Sequence, residues 1–151
     1  MMYIKPPLDL IAEKNILDIK MKLESQAKIA YGNANLRYLQ EQEKLQEIVL
    51  RKNRYDKRLK ELMQGNLNVL DIKHARDDVN NIKVLMRRQM VEVHKAELAL
   101  EDARKALNQV MQERKGQEKL REKAFDEFKK EIATSESKEI DELVSYTYNA
   151  K

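Results

Sequence analysis

The sequence predicts an all-α protein: a long antiparallel two-helix coiled-coil hairpin with a C-terminal helical overhang. Three observations predict it. From Ile72 to Val110, apolar residues recur at alternating steps of three and four, through Ala75, Val79, Ile82, Met86, Val93, Ala96, Leu100, Ala103 and Leu107, with Gln89 as the polar exception. A stripe two positions wide in seven suits one neighbouring helix, whereas a globular core needs a wider face. The composition agrees: of 151 residues, 37% are charged and 5% aromatic, with three Gly, two Pro and no Trp. Compact domains need more turn formers than that, and the profile is that of a coiled coil. Finally, a second seam precedes the first in the chain and is separated from it by a few turn residues.

The first helix is expected over about residues 8–64. Pro6 and Pro7 suit a helix entrance, where their missing amide hydrogens are not needed. A seam is traced through Ile16, Ile19, Leu23, Ala27, Tyr31, Ala34, Tyr38, Glu41, Leu45, Ile48, Lys52, Tyr55, Leu59 and Leu62. Glu41 and Lys52 are its polar exceptions. The run Gly32-Asn33-Ala34-Asn35 predicts a continuous but softer stretch, because Gly and Asn are weak helix formers.

A turn is expected over about residues 65–68. Gly65 reads as a left-handed helix stop, and Asn68 as the cap of the next helix, with Asp71 favourable in its first turn. Two long helices joined so closely fold back antiparallel. That sets Leu59 and Leu62 against Ile72, Leu45 and Ile48 against Met86, and Leu23 against Leu107 and Val110. Glu41 and Gln89 fall at one level. They either hydrogen-bond and fix the register or reach out to water separately.

The second helix is expected over about 69–145. Past Val110 it turns polar, with Leu120 alone among charges and Gly116 softening it. Apolar spacing resumes at Phe125, Phe128 and Ile132. Thr134-Ser135-Glu136-Ser137 predicts a break, and a last short pattern follows at Ile140, Leu143, Val144, Tyr146 and Tyr148. The first helix can cover the second only to about Ala124. An apolar stripe beyond that point marks a binding surface for another protein or a second copy.

Chemistry is sparse. With no Cys there is no disulfide framework and no thiolate zinc site. No cofactor is expected. His74 and His94 have no ligand set beside them and read as surface residues. The glycines are isolated, so no phosphate loop forms, and no pair of carboxylates stands out as acid and base. No catalytic or metal site is assigned, and an enzyme is the least expected class. No apolar run reaches the roughly 18 residues that span a bilayer. The first fifteen residues carry Lys5, Asp9, Glu13 and Lys14 instead of a signal-peptide core. A cytosolic, soluble chain is expected.

Charge is balanced overall, at 30 basic and 26 acidic residues for a net +4, but unevenly placed. Arg51 to Lys60 holds six basic residues and one acid. With Lys83, Arg87 and Arg88 they predict a basic region near the turn, and Arg51, Arg54, Lys57, Arg58, Arg87 and Arg88 are its candidate binding residues. A solvated face, an acidic protein partner and nucleic acid are the three readings, with nucleic acid least expected. Glu131 to Glu142 is net acidic.

The C-terminal third carries a resemblance. Glu113-Arg114-Lys115, Glu118-Lys119-Leu120, Glu122-Lys123, Phe128, Glu131, Lys138-Glu139 and Asp141-Glu142 resemble the closing pattern of the flagellar export protein FliJ family. Gly116 interrupts that pattern, Phe128 stands where Tyr is common, and Met2-Tyr3-Ile4-Lys5 lacks the Phe-x-Phe opening of many members. The resemblance implies a non-enzymatic stalk of the type III export apparatus. Such a stalk enters the hexameric flagellar export ATPase ring and promotes its assembly. It also contacts the export-gate membrane protein and export chaperones, at the cytoplasmic face of the inner membrane at the flagellar base. It further implies that Arg114, Lys115, Leu120, Phe125, Phe128 and Ile132 meet the ring. The rival readings are the equivalent stalk of a virulence-type secretion system or rotary ATPase, and a basic coiled-coil nucleic-acid-binding protein.

Overall fold

A computed structural model describes residues 8–65 and 68–149. It is a hairpin of two long helices, α1 (Leu8–Gln64) and α2 (Val69–Asn149), with no strand among the described residues. Pro6 and Pro7, expected at the entrance to α1, lie outside the described residues.

The turn is built from the asparagine side. The Leu70 and Asp71 amides donate to the Asn68 side-chain oxygen at 3.1 and 3.3 Å, and the Ile72 amide donates to the Asn68 carbonyl at 3.1 Å. Asn68 thus satisfies amides that a helix start leaves without intrahelical partners. Asp71 stands in the first turn. The left-handed stop expected at Gly65 is not observed, because no glycine has positive φ. Helix α1 ends there without that geometry. The low helix propensity of glycine weakens the last turn, and the Asn68 cap starts the return.

The helices pair in two units. In one, made of Lys28–Ala106, the expected seam is the core. Ile48, Ala75, Val79, Ile82 and Ala96 are buried. Tyr31, Ala34, Tyr38, Leu45, Tyr55, Leu59 and Leu62 are half-buried, as are Ile72, Met86, Val93, Leu100 and Ala103. The two polar exceptions are both satisfied. Gln89 donates to Glu41, and the Lys52 ammonium lies 2.9 Å from the Asp56 carboxylate. Helix α1 runs unbroken through Gly32 and Asn33. A Cβ added at Gly32 would meet nothing within 4 Å.

The other unit joins the N-terminal part of α1, up to Ala27, to α2 from Leu107 onward. Here the seam differs from the expected one. Ile16, Ile19 and Leu23 face away from α2, at 42%, 58% and 41% exposure, and Leu17 and Glu24 take the interface at 6% and 7%. The cause is the strict repeat. Counting back from Tyr31 and Ala27 in steps of three and four reaches Glu24, Lys20, Leu17 and Glu13, one residue beyond the apolar set. Leu107 and Val110 remain half-buried on the α2 side, while Leu23 is exposed.

The break expected at Thr134–Ser137 is absent, and α2 is continuous to Asn149. Thr134 Oγ1 donates to the Lys130 carbonyl at 2.9 Å, so the hydroxyl bonds back along the helix without interrupting it.

Candidate functional site

The residues with chemistry to offer fall into three groups along the helices. The first is the charged seam that replaces the expected apolar one. Glu24 and Arg114 form an ion pair between the helices, and Arg114 also bonds Glu118 at 2.7 Å. Lys20 donates to Glu113 at 3.0 Å, and Gln117 donates to the Glu13 carbonyl at 3.4 Å. The Lys20 bond holds the Glu113 carboxyl below its ordinary value, with help from the lysine's charge. The hydrogen bond to Glu118 leads in raising the Arg114 guanidinium, and the charges of Glu118 and Glu24 add to it. A carboxylate oxygen of Glu13 is buried with no hydrogen-bond partner among the described residues. These groups form a ladder of polar contacts where most antiparallel pairs carry apolar ones.

The second group is the C-terminal part of α2. Of the residues for which the resemblance implies a ring contact, Arg114 lies in the seam and is engaged by Glu24 and Glu118. Lys115, Leu120 and Phe125 are exposed, and Phe128 and Ile132 are half-buried. Phe125 lines a shallow groove with Leu10 and Leu17 of α1 and Glu118, Arg121 and Glu122 of α2. The Lys129 ammonium stands 4.6 Å from the centroid of its ring, a cation–π contact. Farther along, Ile140, Leu143 and Val144 share a face by helical spacing, and Tyr146 and Tyr148 follow; all five are exposed. Glu136, Glu139, Asp141 and Glu142 are interspersed with them. The result is an apolar strip with an acidic rim.

The third group is basic. Arg51, Arg54, Lys57, Arg58, Arg87 and Arg88 are all exposed, but they do not make one face. Arg51, Arg54 and Arg58 are spaced to share a face of α1, with Lys57 at its edge, three residues on from Arg54. Arg87 and Arg88 are consecutive and so point about 100° apart on α2. Arg51 lines a groove that also contains Asp78, an acid that tempers the local charge. Lys83 is half-buried.

Both histidines are exposed, and His94 Nδ1 lies 3.9 Å from Glu97. Among the described residues there is no cluster of three or more His, Asp or Glu placed to hold a metal ion. No described helix is long and apolar enough to cross a membrane.

Sequence reading missed the charged seam because it followed the apolar residues. The signal that could have found it is the unbroken heptad count from Ala27 back to Glu13, with Glu24 and Arg114 of opposite charge on facing positions.

The model of the flagellar FliJ protein family matches residues 14–151 of this chain. No curated protein and no solved structure matched it. With that match covering nearly the whole hairpin, the chain belongs to the flagellar FliJ protein family, a non-catalytic component of flagellar export.

Proposed function

We propose that this chain is the stalk that couples the flagellar export ATPase to the rest of the export apparatus. In this reading the unit holding the start of α1 and the end of α2 enters the hexameric ATPase ring and promotes its assembly. The turn-proximal unit reaches the export-gate membrane protein and export chaperones at the cytoplasmic face of the inner membrane. One observation carries it: the C-terminal half of α2 remains helical to Asn149 while presenting Leu120, Phe125, Ile140, Leu143, Val144, Tyr146 and Tyr148 to solvent. An extended helix with that much exposed apolar surface is built to be covered by another protein.

The mechanism follows from asymmetry. A rod inside a ring biases one subunit at a time only if its faces differ. Around α2 from Arg114 to Lys130, the seam residues Arg114 and Gln117 are occupied by α1, and Leu120 and Phe125 lie on other faces among Lys and Glu. Each ring subunit would therefore meet different chemistry. The Arg51–Arg54–Arg58 face suits an acidic surface on the gate or a chaperone. The reading is tested by replacing Phe125 and Phe128 with Ala. Stimulation of the export ATPase should weaken while helicity persists, and unchanged stimulation would sink the ring contact.

A further inference from the structure

The N-terminal part of α1 carries two complete seams one residue apart. Leu17, Lys20 and Glu24 face α2, with Glu24 paired to Arg114 and Lys20 to Glu113. Ile16, Ile19 and Leu23 have the same three-four spacing and are only partly covered, at 42%, 58% and 41% exposure. Both sets run into the same residues, Ala27 and Tyr31. The charged set reaches them by a strict heptad, and the apolar set by successive steps of four, which a slightly less underwound helix accommodates. Just beyond lies Gly32-Asn33, a pair of weak helix formers whose glycine has open space around it.

We propose that the Ile16–Leu23 segment of α1 is a two-state element. A rotation of about one residue around its own axis exchanges the charged seam Leu17–Lys20–Glu24 for the apolar seam Ile16–Ile19–Leu23. The two states are balanced by opposing terms. The resting state keeps the ion pairs but leaves about half of the surface of three large apolar side chains in water. The rotated state covers those side chains against Leu107, Val110 and the aliphatic stems of Arg114 and Arg121, and releases the charges. Side-chain packing has discrete arrangements, so such an element switches and does not drift. Anything that competes for Glu24 or Arg114, such as salt or a charged partner, drives the exchange.

The chain has no cysteine, so single reporters can be placed at Leu17→Cys and Ile19→Cys in the full chain, and their alkylation rates compared. In the resting state the Ile19→Cys thiol reacts fast and the Leu17→Cys thiol slowly. Reversing one charge with Arg114→Glu should invert that order, slowing Ile19→Cys about tenfold, the change produced when a minor state becomes dominant. In the otherwise unaltered chain, molar salt should move both rates the same way as it screens the ion pairs. Two results would overturn the proposal: both thiols reacting fast, meaning that the helices merely separate, or the Ile19→Cys rate staying unchanged. If the charge-reversed chain loses its helical circular dichroism, the salt series decides. The experiment uses the isolated chain, so its outcome is independent of the ATPase reading.

Discussion

The side-chain amide of Gln89 donates to both the carboxylate and the backbone carbonyl of Glu41, at 2.6 and 2.9 Å. One residue of α2 thereby recognises one residue of α1 at two points. A heptad seam of Leu, Ile, Val and Ala is nearly degenerate under a shift of seven, and a polar pair that is satisfied in only one alignment removes the degeneracy. Replacing Gln89 by Leu should lower the melting temperature, because the half-buried Glu41 loses its interhelical donor and keeps only the exposed Lys44 beside it. Replacing both residues by Leu should raise it above the parent while broadening the distribution of registers. Thermal melts, together with cross-linking of cysteines introduced in register and seven residues out of register, check both parts.

The same contact sets an acid limit. The hydrogen bond from Gln89 holds the Glu41 carboxyl below its ordinary value of 4.5, and that from Lys20 does the same for Glu113. A carboxyl whose folded pKa is depressed contributes stability that is present above the unfolded pKa and lost as pH falls through the folded one. Stability should therefore be flat near neutrality and decline below about pH 4.5. Glu41→Gln should shallow that decline without removing it, since Glu113 still titrates. Denaturant midpoints measured from pH 7 to pH 3 test the sign.

The glycines are not structural necessities. None has positive φ, and a Cβ at Gly32 or Gly116 would meet nothing within 4 Å. Gly116→Ala and Gly32→Ala should each stabilise the hairpin by about 0.5–1 kcal/mol. At Gly65 the added Cβ would sit 3.7 Å from the Glu61 carbonyl oxygen, an ordinary contact. Gly65→Ala should thus be tolerated as well, gaining about 0.4–1 kcal/mol through the unfolded state. A loss of stability at Gly65 would mean that the turn uses the glycine in a way its backbone does not show.

Asn68 is a different matter. Its side chain accepts from two amides at the start of α2. Asn68→Ala should cost about 1 kcal/mol, and Asn68→Asp should retain most of the cap. Urea midpoints of the two variants give the comparison.

Much of this fold was legible because it follows from periodicity. The stripe from Ile72 to Val110 and the common level of Glu41 and Gln89 come from counting residues along a helix, and the Asn68 cap from side-chain chemistry; that Glu41 and Gln89 bond each other and do not reach separately to water was left open by counting. Counting also explains the failure before Ala27. Hydrophobicity pointed to Ile16, Ile19 and Leu23, while the strict heptad pointed to Leu17, Lys20 and Glu24, and geometry prevailed because Arg114 and Glu113 supply partners for the charges. Thr134–Ser137 misled for a different reason: propensity is a weak prior, and a hydroxyl that bonds the preceding turn costs a helix little. The candidate binding residues were legible only as types. The sequence picked out Phe125 and Arg114 together, but the interhelical ion pair that occupies Arg114 depends on a residue of α1 ninety positions away.

We propose that the chain acts on the export ATPase through the C-terminal part of α2. The most direct measurement is the turnover of purified flagellar export ATPase with and without this protein, with the mass of the assembly followed in solution. Turnover should rise together with the size of the ATPase assembly, and both gains should be lost on truncation before Leu120. Unchanged turnover in the presence of a well-folded helical chain would contradict it.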